Sequence, residues 1–275
     1  MGKLSKRDLK EQKKIQDLLN SKDKFTDDEL ELIYTEFNEA VIGDVTQNSA
    51  YFTPLGLAYD FALMVPTHGV VVDLCAGIGV LSHAALTRDY YHNDIKKIIC
   101  IERDPRYIEI GKKLVQSTSR TYYEKGEEKE YTTEVIWLQG DMFDEEMWNQ
   151  IEKDHGKIDC IISNPPYGVV TKSDKNRDWL KYKGKDIDIA AIEIGILKSK
   201  YPSYIIPQGS CTFKCSGRPY GSEHCENRKI DKLKKEIGLD FYMAWASIDT
   251  TVYEQGFKNT KITVECCTIV DVEAK

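Results

Sequence analysis

Apolar positions recur along this chain in two distinct periods. Between residues 3 and 40 they fall at helical spacing in a charged background: Leu9, Ile15, Leu18 and Leu19, then Leu30, Leu32 and Ile33. That spacing predicts two amphipathic helices. The second would begin at "TDDEL", where Thr26 can cap the first turn and the acids behind it suit the positive end of the helix dipole. A turn around Gly43 and Asp44 follows. "LGLAYDFALMV" (55–65) predicts a third helix with Pro54 at its start.

Beyond residue 68 the pattern changes to short apolar, β-branched runs separated by amphipathic stretches. The runs "GVVVDLCA", "KKIICIERD", "TEVIWLQGD", "KIDCIISN", "YPSYIIP", "FYMAWASI" and "ITVECCTIVDV" read as seven strands. Helical patterns separate most of them, among them "PRYIEIGKKLVQST", which opens on Pro105, and "IDIAAIEIGILKS". Strand–helix alternation with nearly continuous apolar strands means a mostly parallel sheet covered on both faces, a doubly wound α/β domain. We therefore expect an N-terminal helical extension over 1–42 and one α/β domain over 43–275. "YYEKGEEKEY" (122–131) reads as a charged loop inserted before a strand.

Composition narrows the picture modestly. With 275 residues, 41% hydrophobic and 30% charged, the chain can bury a large core without staples. No apolar run approaches the roughly 18 residues of a membrane span. The charged start "MGKLSKRDLKEQKK" has no apolar segment behind it, so no secretory signal is expected, although "MGKLSK" loosely fits a myristoylation pattern through Gly2 and Ser5. Cys75, Cys100, Cys160, Cys266 and Cys267 lie within apolar runs, as buried reduced thiols of a cytoplasmic or otherwise intracellular protein would. A net charge of −7 argues against a general nucleic-acid coat and leaves room for a local basic face.

The candidate chemistry gathers at strand ends. "VVVDLCAGIGVLS" is a strand that ends near Asp73 and turns through Gly77 and Gly79 into a helix; such glycines allow close backbone approach to a ligand at the helix N-terminus. Glu102 ends the next strand about twenty residues on, where an acid can accept both hydroxyls of a ribose. Asp141 ends the third strand and could accept from the exocyclic amine of an adenine, or simply form a turn. "SNPPYG" ends the fourth. Two prolines fix φ at successive positions and remove competing donors. The Asn164 oxygen and the Pro165 carbonyl can then point at one place and meet the two hydrogens of a planar amino group. Pro166 stiffens the turn, and Tyr167 can offer an aromatic face to a ring.

Taken together, these segments resemble the class I S-adenosylmethionine-dependent methyltransferases of the amino-methylating type, and most of all the N6-adenine DNA methyltransferases. The similarity runs over roughly residues 49 to 270. "NSAYFTPLGLAYDFA", placed before the Gly-rich strand, is similar to the Phe-Thr-Pro segment of the gamma-ordered enzymes and of type I modification subunits. The resemblance implies a Rossmann-like sheet and S-adenosylmethionine as cofactor, with Tyr51, Phe52, Thr53 and Pro54 over its methionine end. It further implies cofactor contacts from Asp73, Cys75, Ala76, Gly77, Gly79, Glu102, Arg103, Asp141, Met142 and Asn164. Asn164, Pro165, Pro166 and Tyr167 would be catalytic. "EQGFKNTKITVECCTIV" resembles the late F-x-x-T-x-I segment, making Phe257 a candidate to stack on a flipped base.

Such a chain would methylate the N6 amine of adenine in DNA. RNA adenine, a protein glutamine, and a silent methyltransferase-fold subunit are the competing readings. "TKSDKNRDWLKYKGKD" (171–186) is basic, and Lys172, Lys175 and Arg177 are the candidates for phosphate contact. Residues 208–230 form a second candidate substrate loop; Cys-x₃-Cys followed by His-Cys inside it is not a well-formed zinc signature. Separate target-recognition domains usually follow the late motif in sequence-specific enzymes. Here recognition is expected from these loops, from the N-terminal helices, or from a specificity subunit.

Overall fold

Side chains of a strand alternate between its two faces, and in this chain both faces are apolar. Val71, Ile98, Cys160, Ile162, Ile205 and Cys266 enter one buried cluster, while Val72, Ile99, Ile161, Tyr204, Ile206 and Cys267 enter the other. The result, in this computed structural model, is a sheet sandwiched between two helical layers. The structure describes residues 6–41, 51–88, 95–118, 121–124, 127–130, 133–169, 177–258 and 260–274. The "MGKLSK" stretch, the turn at Gly43 and Asp44, and Lys172 and Lys175 lie outside the described residues.

Seven strands form the central sheet: β1 (Gly69–Leu74), β2 (Ile95–Glu102), β5 (Glu134–Gln139), β6 (Ile158–Ser163), β7 (Ser199–Pro207), β10 (Leu239–Trp245) and β11 (Val264–Ala274). Their spatial order is β10-β11-β7-β6-β1-β2-β5. The pairs β1–β2, β2–β5, β1–β6 and β6–β7 are parallel; β11 runs antiparallel to both β7 and β10. From β1 the chain first builds outward through β2 and β5, then returns to add β6 on the other side of β1. Crossovers leaving β1 and β6 in opposite directions open a crevice at the strands' carboxyl ends.

The helices follow their sequence signals. Helix Asp27–Glu36 starts in a full capping box between Thr26 and Glu29, and Pro54 caps helix Leu55–Met64. Asp104 caps helix Pro105–Gln116, with its side chain accepting from the Arg106 amide. The N-terminal helices (Lys6–Ser21 and Asp27–Glu36) are continuous with the main body in packing. Ile15, Leu19, Leu30 and Ile33 share one buried cluster with Leu57, Phe61 and Val71. The Phe25 amide donates to Ser117 Oγ at 3.1 Å, and Lys113 pairs with Asp23 at 2.8 Å. The helical extension is therefore a wall of the same core.

Two segments differ from expectation. The stretch read as a charged loop contains a hairpin, β3 (Thr121–Glu124) against β4 (Glu127–Glu130). Its Thr-Tyr-Tyr run has strand propensity that the surrounding charge concealed. The 208–230 segment is also ordered, with a 3₁₀ turn at Gln208–Ser210 and a short hairpin, β8 (Phe213–Lys214) with β9 (Glu223–His224). Among the described residues no helix is long and apolar enough to cross a membrane.

Candidate functional site

Where β1 ends, the chain makes a strained turn into helix Val80–Arg88. Gly77 and Gly79 have φ of 56° and 83°, and Cys75 has φ of 63° without being glycine. A non-glycine residue in this region costs roughly 1–2 kcal/mol, so the surrounding structure holds the turn. A Cβ on Gly79 would come within 2.5 Å of Val115 Cγ2, and one on Gly77 within 2.9 Å of the Phe52 ring. The glycines are thus required by both φ and space.

Glu102 organises this turn from the end of β2. Its Oε2 accepts from the Gly77 amide at 2.9 Å; its Oε1 accepts from the Arg103 and Asp104 amides at 2.7 and 2.8 Å. Burial raises its pKa, against the lowering effect of those three amides. A carboxylate has about four acceptor positions, so after these three amides the open one is on Oε2. The carboxylate therefore has less room for two ribose hydroxyls than its place in the sequence suggested.

Asp73 is 1% exposed. Its Oδ2 accepts from the Ser82 amide at 3.0 Å and the Ser82 hydroxyl at 2.6 Å, while Oδ1 has no hydrogen-bond partner among the described residues. Burial pushes its pKa up to about 7, with the Ser82 bonds acting the other way. Leaving an oxygen of a buried carboxylate unpaired is costly.

A small recess, open to solvent, is lined by Tyr51, Phe52, Thr53, Asp73, Cys75, Ala76, Gly77, Val80, Leu81 and Asn164. Eight of these were expected from sequence. Val80 and Leu81 were not, although their position directly behind Gly79 at a helix start was a usable signal. Pro54, Gly79, Glu102, Arg103, Asp141 and Met142, also expected from sequence, are not among its lining residues. Asp141 Oδ1 accepts from the Phe143 amide at 3.0 Å, and its Oδ2 lies 3.7 Å from Arg103 Nη1. Met142 is buried, its sulfur 3.7 Å from Cys75 Sγ.

Asn164 follows β6 and ties the recess together over long chain separations. Its Nδ2 donates to the Tyr51 carbonyl at 3.0 Å and to Thr53 Oγ1 at 2.9 Å. The Tyr167 hydroxyl donates to Asn164 Oδ1 and also lies 3.2 Å from the Ile205 carbonyl. Both ends of the amide are thereby oriented, and one lone pair of Oδ1 stays open. Pro165 is buried and Pro166 half-buried beside it. Tyr167 is half-buried, packed against the core with the Tyr51 ring 6.3 Å away.

Two residues expected at the substrate are engaged within the chain itself. Phe257 is 6% exposed and packs in the core cluster with Ala246, Ile248 and Val264, so its ring presents no open face. Arg177 donates through Nη2 to the Tyr182 and Gly184 carbonyls, both at 2.8 Å, and its guanidinium lies over the Phe143 ring. It staples its own loop. Buried Glu193 holds the same loop by accepting from the Lys181 and Tyr182 amides at 2.7 and 2.9 Å. In the second loop, fully buried Glu265 accepts from Gln208 Nε2, the Cys215 and Ser216 amides and the Ser216 hydroxyl. Cys225 Sγ points to the Cys211 carbonyl, and among the described residues no cluster of His, Cys, Asp and Glu gathers as metal ligands.

No protein-family description matches the chain, and no curated protein matches its sequence. Solved structures match its fold. A Listeria monocytogenes protein assigned to the class I S-adenosylmethionine-dependent methyltransferases superposes with a TM-score of 0.50 at 13% identity, over 98% of this chain and 70% of that one. The fold is the class I methyltransferase fold. The methyltransferase subunit of a Streptococcus thermophilus type I restriction-modification system gives 0.49 at 14% identity, over 87% of this chain and 49% of that subunit, about half its length. The N-terminal domain of EvdMO1, with S-adenosylhomocysteine bound, gives 0.42 at 11% identity over 99% of this chain and 100% of that one.

Proposed function

We propose that this chain moves a methyl group from S-adenosylmethionine to the exocyclic N6 amine of adenine in DNA. The observation that carries the reading is that Asp73, with its unpartnered Oδ1, and Asn164, with its oriented amide, line the same recess. One oxygen is an acceptor for a cofactor's ammonium; the other is an acceptor for a substrate's amine. The residues fit S-adenosylmethionine: Asp73 would take its ammonium, the remaining position on Glu102 Oε2 a ribose hydroxyl, and Asp141 the adenine edge. When bound, the cofactor supplies a methyl group made electrophilic by its sulfonium.

The chain's own residues do the rest. An aromatic amine is a poor nucleophile because its lone pair is shared with the ring. Acceptors at Asn164 Oδ1 and the Pro165 carbonyl draw its hydrogens out of the ring plane and leave the pair on nitrogen. Their attraction grows as positive charge builds, so it favours the transition state. Thr53 and the Tyr51 carbonyl hold the amide in one orientation, and Tyr167 fixes its oxygen. A base in a duplex must be extruded to reach this pocket, at a cost of a few kcal/mol. Phosphate contacts from Lys172 and Lys175 belong to this proposal. So does a specificity subunit, because the described parts of both substrate loops are tied to the chain itself.

The test is transfer from methyl-labelled S-adenosylmethionine to unmethylated DNA, with RNA and protein extract in parallel, followed by nucleoside analysis. N6-methyladenine in DNA is the expected product. Label confined to RNA or protein would keep the chemistry and overturn the substrate. An absence of label in every arm, including unmethylated DNA offered together with cell extract to supply a specificity subunit, would overturn the activity.

A further inference from the structure

A second buried carboxylate stands beside the Asn-Pro-Pro-Tyr segment, and nothing in the account above uses it. Asp188 lies in the first turn of helix Ile187–Lys198 and is 3% exposed. Its Oδ2 has no hydrogen-bond partner among the described residues. The helix start is stitched to the motif: the Ile187 amide donates to the Gly168 carbonyl at 3.1 Å, and Val169 bridges to Asp186. Buried Ser210, just past the end of β7, donates to the Asp188 carboxylate, and the negative charge is felt at the Tyr167 hydroxyl.

Given the proposed methyl transfer, on which this inference rests, a proton is left over. As the acceptor nitrogen forms its bond to carbon, the pair of the broken carbon–sulfur bond stays on sulfur. The nitrogen is left cationic with one hydrogen too many. Asn164 and the Pro165 carbonyl can hold that hydrogen but are too weakly basic to keep it.

We propose that Asp188 is the proton acceptor of the reaction, taking the surplus N–H proton on Oδ2 and passing it to solvent. The carboxylate becomes a carboxylic acid, the amine becomes neutral, and charge balances. Ser210, the polar neighbour of that carboxylate, is the positioning residue. The charged and titratable groups facing Asp188 are Lys229 on helix Arg228–Ile237, Asp186 on its own helix start, and Tyr167 and Tyr182. Lys229 is engaged with Asp186 at 2.7 Å. Burial raises the pKa of Asp188, while the Ser210 bond and Lys229 lower it.

The experiment is single-turnover transfer from pre-bound S-adenosylmethionine to unmethylated DNA across pH 5 to 9, for wild type, Asp188→Asn and Ser210→Ala. Wild type should show a rate that rises with pH through one ionisation. Asp188→Asn should be slower by about 10²–10⁴-fold, the usual worth of a general base, and should lose that limb while cofactor affinity stays within a few-fold. Ser210→Ala keeps the carboxylate but removes its donor, so the limb should move to higher pH; this variant decides the matter if Asp188→Asn does not fold. Wild-type transfer with the limb unchanged in both variants overturns the proton-acceptor role alone. No wild-type transfer to any acceptor overturns the role together with the reading beneath it.

Discussion

The two halves of the crevice are built by different means. On the β1–β2 side the parts lie close in sequence to a strand end, and backbone amides do most of the work. Glu102 collects three amides, and Ser82, nine residues from Asp73, supplies both bonds to that carboxylate. On the β6–β7–β11 side the bonds that hold Asn164 and Glu265 in place span long stretches of chain. Asn164 reaches Tyr51 and Thr53 over more than a hundred residues, and Glu265 gathers donors about fifty residues away. A local cradle keeps its geometry as long as its own turn is intact. A long-range one depends on the whole domain, and substitutions there should affect substrate handling and stability together.

The sharpest way to separate the halves is Asn164→Ala. Transfer should fall by about 10²–10³-fold, the usual cost of losing one oriented transition-state contact, while calorimetry finds the cofactor still bound within a few-fold. Retained turnover would remove Asn164 from the chemistry. Next is Glu265→Ala. It strands the Gln208, Cys215 and Ser216 donors in a buried site, at about 3 kcal/mol in chemical denaturation. Any remaining folded protein should show a raised KM for the nucleic acid and unchanged cofactor affinity. Equal damage to both would erase the contrast.

Arg177→Ala tests the correction to the basic loop. Losing two charge-assisted bonds at a half-exposed position should cost about 1 kcal/mol, with no change in the salt dependence of DNA binding. A flatter salt slope would return Arg177 to the phosphates. The smallest effect is expected at Cys75. Cys75→Gly relieves left-handed strain but adds chain entropy, so stability should stay within about 1 kcal/mol of wild type. Cys75→Val, β-branched in the same conformation, should fall by more. Thermal denaturation distinguishes these outcomes.

The same contrast explains what the amino-acid sequence made legible. Short apolar runs mark all seven sheet strands, and Asp73, Cys75, Ala76 and Gly77 at the end of β1 mark one wall of the recess, because these signals are local. Glu193, Glu265, Ser210 and Asp188 were invisible for the opposite reason. A buried carboxylate looks like any surface acid until the fold delivers its donors, or withholds one. The bonds of Arg177 and the burial of Phe257 were concealed by the same route. A basic run reads as solvated and a late aromatic reads as exposed, whereas long-range packing turned the guanidinium onto its own loop's carbonyls and the ring into the core. The hairpin at residues 121–130 was concealed by its charge.

Asp73 offers the most direct test of cofactor binding at this recess. Its pKa is raised to about 7 from an ordinary 3.8 by burial. A raised carboxyl adds stability that is fully present below its unfolded pKa and lost as pH climbs through the folded one, here a swing on the order of 4 kcal/mol. The ligand-free protein should therefore lose stability between about pH 4 and 7, and Asp73→Asn should flatten that slope. An ammonium bound at Oδ1 needs the ionised form, so the effect on binding has the opposite sign. The decisive measurement is calorimetric titration of S-adenosylmethionine into the wild-type protein between pH 5.5 and 7.5, repeated with Asp73→Asn. Affinity that strengthens as pH rises toward 7, with at least a tenfold loss and no pH slope in the variant, is the predicted result. PH-independent binding, or equal affinity in the two proteins, would contradict it.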